Sequence, residues 1–343
     1  MSGSTGLPPK NIKYILGVGL IVLILILGFT LGKLIAYSII STKLNTDEDI
    51  VLVVDKGQGL VSIINELHSK EIISNPRFLK LAYYIHGIPS NIQVGEYLVT
   101  PSMSVKQLID NIAIGKQRLQ SIKIDIGTTF AKFYKKLIKH PHIKPTTANM
   151  AVVDIMNLLE SPYRNPEGLF YADTYLFYSG SKDIDILRTA HERLLKVLDE
   201  EWQNRAPDLS YQNSYEALTM ASIIEKETGL DSERPLIAGV FQNRLRLGMR
   251  LQTDPTIIYG LGDEYKGNIR RSHLRQPTPY NTYVIYGLPP TPISLVDLRA
   301  IRAALNPEPS DYIFFVAKGG GAHKFSVTLK EHNAAVRKYL LGQ

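Results

Sequence analysis

Apolar positions along the chain fall into three regimes. From Tyr14 to Gly32 they are continuous: YILGVGLIVLILILGFTLG carries no charge, with Lys10, Lys13 and Lys33 flanking it. At 1.5 Å per residue this run makes a helix of about 28 Å, close to the hydrocarbon thickness of a bilayer. From residue 50 to 115 short segments alternate in period. VLVVDKG reads as a strand, and GLVSIINELHSK as a helix with Leu60, Ile63, Ile64 and Leu67 on one face. RFLKLAYYIHG reads as a helix opened near Pro76 and closed by Gly87, QVGEYLVT as a strand, and SVKQLIDNIA as a helix capped by Ser104. Beyond residue 118 strands and helices are mixed. QRLQSIKIDIGTT sets Ile122, Ile124 and Ile126 on one face of a strand, and FAKFYKKLIKH, NMAVVDIMNLLES and Asp183 to Trp202 have helical spacing. Tyr215 to Thr228, SERPLIAGVFQNRLRLG, LVDLRAIRAALNP and the closing KEHNAAVRKYLLG are further helices, whereas DYIFFVAKG and KFSVT are strands. The expected fold class is α+β behind a single N-terminal transmembrane helix.

The long apolar run is read as an uncleaved anchor over residues 14–34. A signal peptide would have a shorter apolar region followed by a small-x-small cleavage site, and here Lys33 and LIAYSII follow instead. Lys10 and Lys13 favour an inside N-terminus, so residues 1–13 form a cytoplasmic tail. Residues 35–49 are then a linker, and the large C-terminal part sits outside the cytoplasm of a bacterial inner (plasma) membrane protein. That location argues against nucleic acid as a partner and against ATP as a substrate.

Composition sharpens this picture modestly. The 343 residues are 44% apolar and 21% charged, an ordinary globular balance with room for two or three domains. The formal net charge of +7 is spread without a dense basic block, as on a solvated basic surface. Cysteine is absent, which excludes disulfides, thiolate metal sites and a cysteine nucleophile. His140 and His142 flank a proline with no carboxylate nearby, which reads as a surface loop; no metal and no cofactor are expected. GGGAH at 319–323 lacks the Lys-Ser/Thr helix start of a phosphate loop.

The chemistry concentrates where LTMASII runs into Glu225 and Glu227. A glutamate against an apolar helix face can hold its proton near neutral pH. Carboxylates in a last helical turn also oppose the helix dipole, which hints at use rather than packing. On a continuous helix the two side chains point about 200° apart, so they do not form a facing pair. Surface glutamates of a last turn are the bland alternative. Downstream, Arg244, Arg246 and Arg250 surround a polar loop, Gln252-Thr253-Asp254, and Gly229 is the expected helix stop. Further upstream, PEGLFYADTYLFYSGSKD crowds Glu167, Asp173 and five aromatics, either as a carbohydrate-stacking wall or as a loop whose rings enter the core.

These residues carry a resemblance. ASIIEKET, NRLRLGMRLQTDPTIIYGLG, YNTY at 280–283, GLPPTPI at 287–293, HKF at 323–325 and EGLFYADTY at 167–175 are similar, in order and spacing, to the motifs of the YceG-like (MltG) family of endolytic murein transglycosylases. The strand–helix–helix–strand–helix pattern of residues 50–118 resembles a LysM-like module, the kind that binds N-acetyl-sugar polymers. The resemblance implies a YceG-like catalytic domain over 119–343.

It further implies a lyase that cleaves the β-1,4 bond between N-acetylmuramic acid and N-acetylglucosamine in nascent glycan strands, leaves a 1,6-anhydro end and terminates elongation. In that family the first glutamate of the ASIIEKET motif is expected to be the acid/base, which carries over to Glu225. Glu227, Gln252, Asp254, Tyr280, Asn281, Tyr283 and Asp173 are the expected substrate contacts, with loop-stabilising hydrogen bonds as the alternative for each. Peptidoglycan glycan strands are the expected partner, with peptidoglycan synthases (penicillin-binding proteins) beside them. Two other classes stay open: a hydrolytic muramidase pairing Glu225 with Asp254 or Glu227, which would leave a reducing muramic end, and a non-catalytic peptidoglycan-binding scaffold, which would leave the glycan uncut.

Overall fold

A computed structural model describes residues 9–89 and 91–342. Of the expected cytoplasmic tail, residues 1–8 lie outside the described residues. The chain divides into two compact units, one ending at Leu119 and the other starting at Gln120.

The first unit opens with helix α1, Pro9–Ile40, of which Lys13–Ile40 is long and apolar enough to cross a membrane. This helix runs past the expected 14–34 span. Its last turn carries Ala36 and Ile40, both buried, so the segment expected as linker begins with structured helix. Strand β1 (Ile50–Val54), helices α2 (Leu60–Ser69) and α3 (Pro76–His86), strand β2 (Gly95–Val99) and helix α4 (Val105–Ile114) follow. β1 and β2 pair antiparallel, with Ile50 opposite Val99 and Val54 opposite Gly95. Leu52 and Val54, two apart on β1, turn to the same face and meet Ile63, Ile64 and Leu67 of α2 and Leu108, Ile109 and Ile112 of α4 in one core. Ser104 caps α4 as the sequence requires: its hydroxyl accepts from the Gln107 amide, and the Gln107 side chain accepts from the Ser104 amide.

The second unit combines short strands with helices. Strand β3 (Leu119–Lys123) pairs with β5 (Thr174–Tyr178), and β4 (Ile143–Lys144) pairs in parallel with β6 (Ser181–Lys182). β7 (Phe314–Gly319) and β8 (Ala322–Ser326) form an antiparallel hairpin whose turn is the Gly319–Gly321 run. The helices are α5 (Phe130–Ile138), α6 (Val152–Leu158), α7 (Asp183–Gln203), α8 (Ser214–Glu227), α9 (Arg234–Arg246), α10 (Asp254–Leu261), α11 (Leu298–Leu305) and α12 (Leu329–Leu340). The assembly is mixed α and β, in keeping with the expected class. Two local readings change. The aromatic segment 169–178 contains strand β5, and Leu169, Phe170, Tyr171, Tyr175 and Phe177 enter the core rather than lining a wall. Ile126 does not follow Ile122 and Ile124 inward; it stays exposed past the end of β3.

The second unit is built around α8. All eight residues from Ala217 to Ile224 are buried, so the helix is covered on every side, by α7, α9, α10 and α11. That explains a sequence apolar or small all round rather than striped. The Asn213 side chain accepts from the Glu216 amide and starts the helix. Ser222 lies buried toward residues 293–294: it donates to the Thr219 carbonyl and accepts from the Ile293 amide. The segment 287–297 is thereby held along α8. Gly168, at φ +79°, is where a side chain would collide with Pro292 of that segment; a Cβ there would lie 2.3 Å from the proline ring.

Candidate active site

α8 ends abruptly. Thr228 adopts an extended conformation and closes the helix, one residue before the glycine expected to stop it. Glu225 and Glu227 therefore both lie in the last turn, and the 200° between them puts them in different surroundings.

Glu225 faces α9. Arg234 donates to it with both ends of its guanidinium, Nη1 to Oε2 at 2.6 Å and Nη2 to Oε1 at 3.1 Å. Both side chains are nearly inaccessible, at 7% and 4%. Arg234 also donates to Asp231, which in turn accepts from Arg299. Burial pushes the Glu225 carboxyl above its ordinary value, and the Arg234 fork opposes that push. Burial lowers Arg234, but Glu225 and Asp231 outweigh it and leave the guanidinium more firmly charged than usual. Both oxygens of Glu225 are committed to a cation.

Glu227 faces a cavity of about 550 Å³. Its neighbours around that space include Arg244, Gln252, Asp254, Tyr283, Phe315 and His323. The Thr253 hydroxyl donates to its carboxylate. Among the described residues no cation is hydrogen-bonded to it. Burial pushes its pKa up to about 7; Thr253 pulls it down, Asp254 adds to the rise, and Arg244 acts against it. Arg244 does not reach the carboxylate, because its Nε and Nη1 are spent on the Ile313 and Leu251 carbonyls, each at 2.7 Å.

The loop before α10 presents the rest. Gln252 sits at φ +49°, a left-handed conformation costly for a residue with a side chain. Its amide donates to the Thr282 carbonyl, and the Thr253 amide donates to the Thr282 hydroxyl at 3.1 Å. Residues 280–283 thus buttress residues 252–254. Tyr283 donates its hydroxyl to Asp254 at 2.8 Å, and burial raises its pKa. Across the cavity, the His323 amide and ring Nδ1 both donate to Glu233, at 3.0 and 2.8 Å, which fixes the imidazole.

Of the residues singled out in the sequence, Glu227, Gln252, Asp254 and Tyr283 share this cavity. Glu225 does not line it. Asn281 is buried and shapes the loop, with Nδ2 donating to the His273 and Gln276 carbonyls and Oδ1 accepting from the Tyr283 amide. Tyr280 shares a hydroxyl contact with Thr291 and packs edge-on against Tyr259. Asp173 pairs with Arg193 at 2.6 Å and lies outside this cavity. Arg234 has no sequence signal of its own: its partner is nine residues upstream, across a helix end and a turn. Glu167 is a second buried acid pushed up to about 7 by burial, but it accepts from the Phe130 amide at the start of α5 and from Tyr259 at 3.2 Å, as a helix-capping group does. Among the described residues no cluster of His and carboxylates could hold a metal.

A half-buried carboxyl raised by burial thus stands at the end of a helix with a buried middle, beside a polar, aromatic-edged cleft on a mixed α and β scaffold. The chain belongs to the YceG-like family, whose model matches residues 52–338. It is 28% identical over 306 residues to the endolytic murein transglycosylase of Bacillus subtilis, covering 84% of each chain. It is 33% identical over 183 residues to the endolytic murein transglycosylase of Streptococcus pneumoniae, covering 50% of this chain and 33% of that one. Among solved structures, a yceG-like protein of Listeria monocytogenes superposes with a TM-score of 0.51 at 29% identity, over 84% of this chain and 99% of the other.

Proposed function

We propose that this protein is a membrane-anchored endolytic murein transglycosylase, a lyase acting on peptidoglycan glycan strands, and that Glu227 rather than Glu225 is its general acid/base. The observation that carries the assignment is the contrast between the two carboxyls: Glu227 opens on the cavity with a pKa near 7 and no paired cation, whereas both oxygens of Glu225 are occupied by Arg234. An acid must hold a proton at working pH and give it up in the transition state. Protonating Glu225 would sacrifice a buried, bidentate ion pair; protonating Glu227 does not.

In this mechanism protonated Glu227 donates to the glycosidic oxygen as the C1–O bond of the muramic residue breaks. The carboxylate left behind accepts the proton of the C6 hydroxyl, whose oxygen attacks C1 and closes a 1,6-anhydro ring. One carboxyl serves both steps and no water enters, unlike the two-carboxylate arrangement of hydrolytic glycosidases. Gln252, Asp254 and Tyr283 bind sugar hydroxyl and N-acetyl groups, and Tyr280 and Asn281 support the loop that presents them. Helix α1 anchors the chain with its N-terminus inside, and the catalytic unit works outside the membrane. The βααβ order of the first unit supports a LysM-like module. Peptidoglycan synthases (penicillin-binding proteins) are the partners a strand-terminating role calls for.

The test is mass spectrometry of purified glycan strands after digestion. The wild-type chain should leave 1,6-anhydromuramic ends; Glu227→Gln should leave strands uncut while melting no lower than wild type. Activity retained in that variant would remove Glu227 from its role, and reducing muramic ends would replace the lyase with a muramidase.

A further inference from the structure

Helix α3 carries two apolar faces, and only one is used by the core. Leu79, Ala82 and Tyr83 are buried in the first unit. Phe78, Leu81, Tyr84 and Ile85 lie on the adjoining face, with Ile88 just beyond the helix. Phe78 is 62% exposed, Leu81 54%, Tyr84 77% and Ile88 55%. Elsewhere among the described residues of this unit, α1 apart, the large exposed apolar side chains Val53, Val61, Val94, Ile114 and Leu119 are scattered along other elements, as on ordinary surfaces. A contiguous stripe of this kind marks an interaction site.

The neighbour of that stripe indicates what covers it. α3 packs against α1, the helix that meets the requirements of a membrane span. Near the start of α3, Phe78 and Leu79 share a cavity with Ile39 and Thr42; near its end, the His86 ring lies 5.8 Å from that of Tyr37. α3 therefore lies along the last turns of α1, and its C-terminal end, which carries Tyr84 and Ile85, is the end nearer the uncharged run of α1. The uncharged run of α1 ends before Lys33, so Leu34–Ile40 rise about 10 Å beyond the hydrocarbon, through a headgroup layer about 5–8 Å deep. An apolar stripe with a tyrosine, flanked by Arg77 and Lys80, matches the side chains that settle at that depth.

We infer that the exposed face of α3, together with Ile88, docks into the outer-leaflet lipid interface and seats the first unit on the membrane surface. The inference rests on the anchor reading of α1 proposed above. Because the chain has no cysteine, single cysteines can be introduced and labelled with the environment-sensitive fluorophore NBD. Leu81→Cys, Tyr84→Cys and Ile88→Cys report on the stripe. Leu23→Cys reports on the middle of the anchor, and Val61→Cys on a solvated face of α2. The full-length variants are reconstituted in vesicles of phosphatidylcholine and phosphatidylglycerol.

Labels at 81, 84 and 88 should emit to the blue of the label at 61 and be quenched by lipid carrying a shallow doxyl group. Emission matching that of position 61, with position 23 still blue-shifted, overturns the docking while leaving the anchor intact. Solvated emission at position 23 overturns the anchor and the docking with it. A blue shift without lipid quenching would assign the face to a second copy of the chain and overturn the lipid assignment.

Discussion

Glu225 and Glu227, two positions apart, have different surroundings because a helix turns them to opposite sides. Glu225 is tied to Arg234 in a pair with little access to water. Removing one partner of such a pair strands a buried charge and costs about 3 kcal/mol. Glu225→Gln should accordingly lose stability at neutral pH by that order, read as a lower urea midpoint, and Arg234→Met should restore part of it in the double variant. Glu227 should behave in the contrary way. Its folded-state pKa of about 7 lies above the 4.5 of an unperturbed glutamate. Between these values the folded chain binds more protons than the unfolded one, so stability from this group is full below about pH 4.5 and is lost as pH rises to about 7. Glu227→Gln removes that dependence. At pH 8 it should melt above wild type, with the gap closing toward pH 4.5, as thermal scans across pH would show. On the proposed role of Glu227 as the acid, kcat should also fall as pH rises through about 7, because the group loses its proton.

Among the elements, α8 sets the precision of the site. Its residues 217–224 are buried on all sides, which fixes the helix that carries the last turn, and Ser222 ties it to the segment 293–294. Ser222→Ala leaves the Ile293 amide without its acceptor, an expected loss of about 1–2 kcal/mol, visible in denaturant unfolding. The loop of residues 252–254 is held in its left-handed turn by residues 282–283 rather than by local preference. This is why YNTY and QTDPT belong to one site although some 25 residues separate them.

At the scale of the molecule, α1, the helix long and apolar enough to cross a membrane, is also a structural part of the first unit. Ala36, Ile40 and Leu44 are buried in its core. A chain shortened to begin at Leu34 should keep the thermal transition of this unit, whereas one beginning at Asn45 should lose several degrees or the transition itself, since deleting a buried Ile side chain alone costs about 2–5 kcal/mol. Differential scanning calorimetry of the two shortened chains compares them directly.

What the sequence determined by itself is local or repeated. A continuous uncharged run specifies a long apolar helix, period-two and period-3.6 patterns specify most strands and helices, Ser104 specifies a cap, and the ordered motifs specify the family. These depend on neighbours a few residues away, and such interactions are written in spacing. The tertiary structure decided which carboxyl is tied to a cation. Glu225 and Glu227 have the same chemistry and the same helix; they differ because Arg234 reaches one and Thr253, 26 residues on, reaches the other. It also moved the aromatics of residues 169–178 into the core, set Asp173 on Arg193 outside the cavity, and turned Asn281 into a loop brace. No periodicity carries those outcomes, because burial and pairing between distant segments are properties of the packed chain, and a carboxyl's proton affinity follows from that packing.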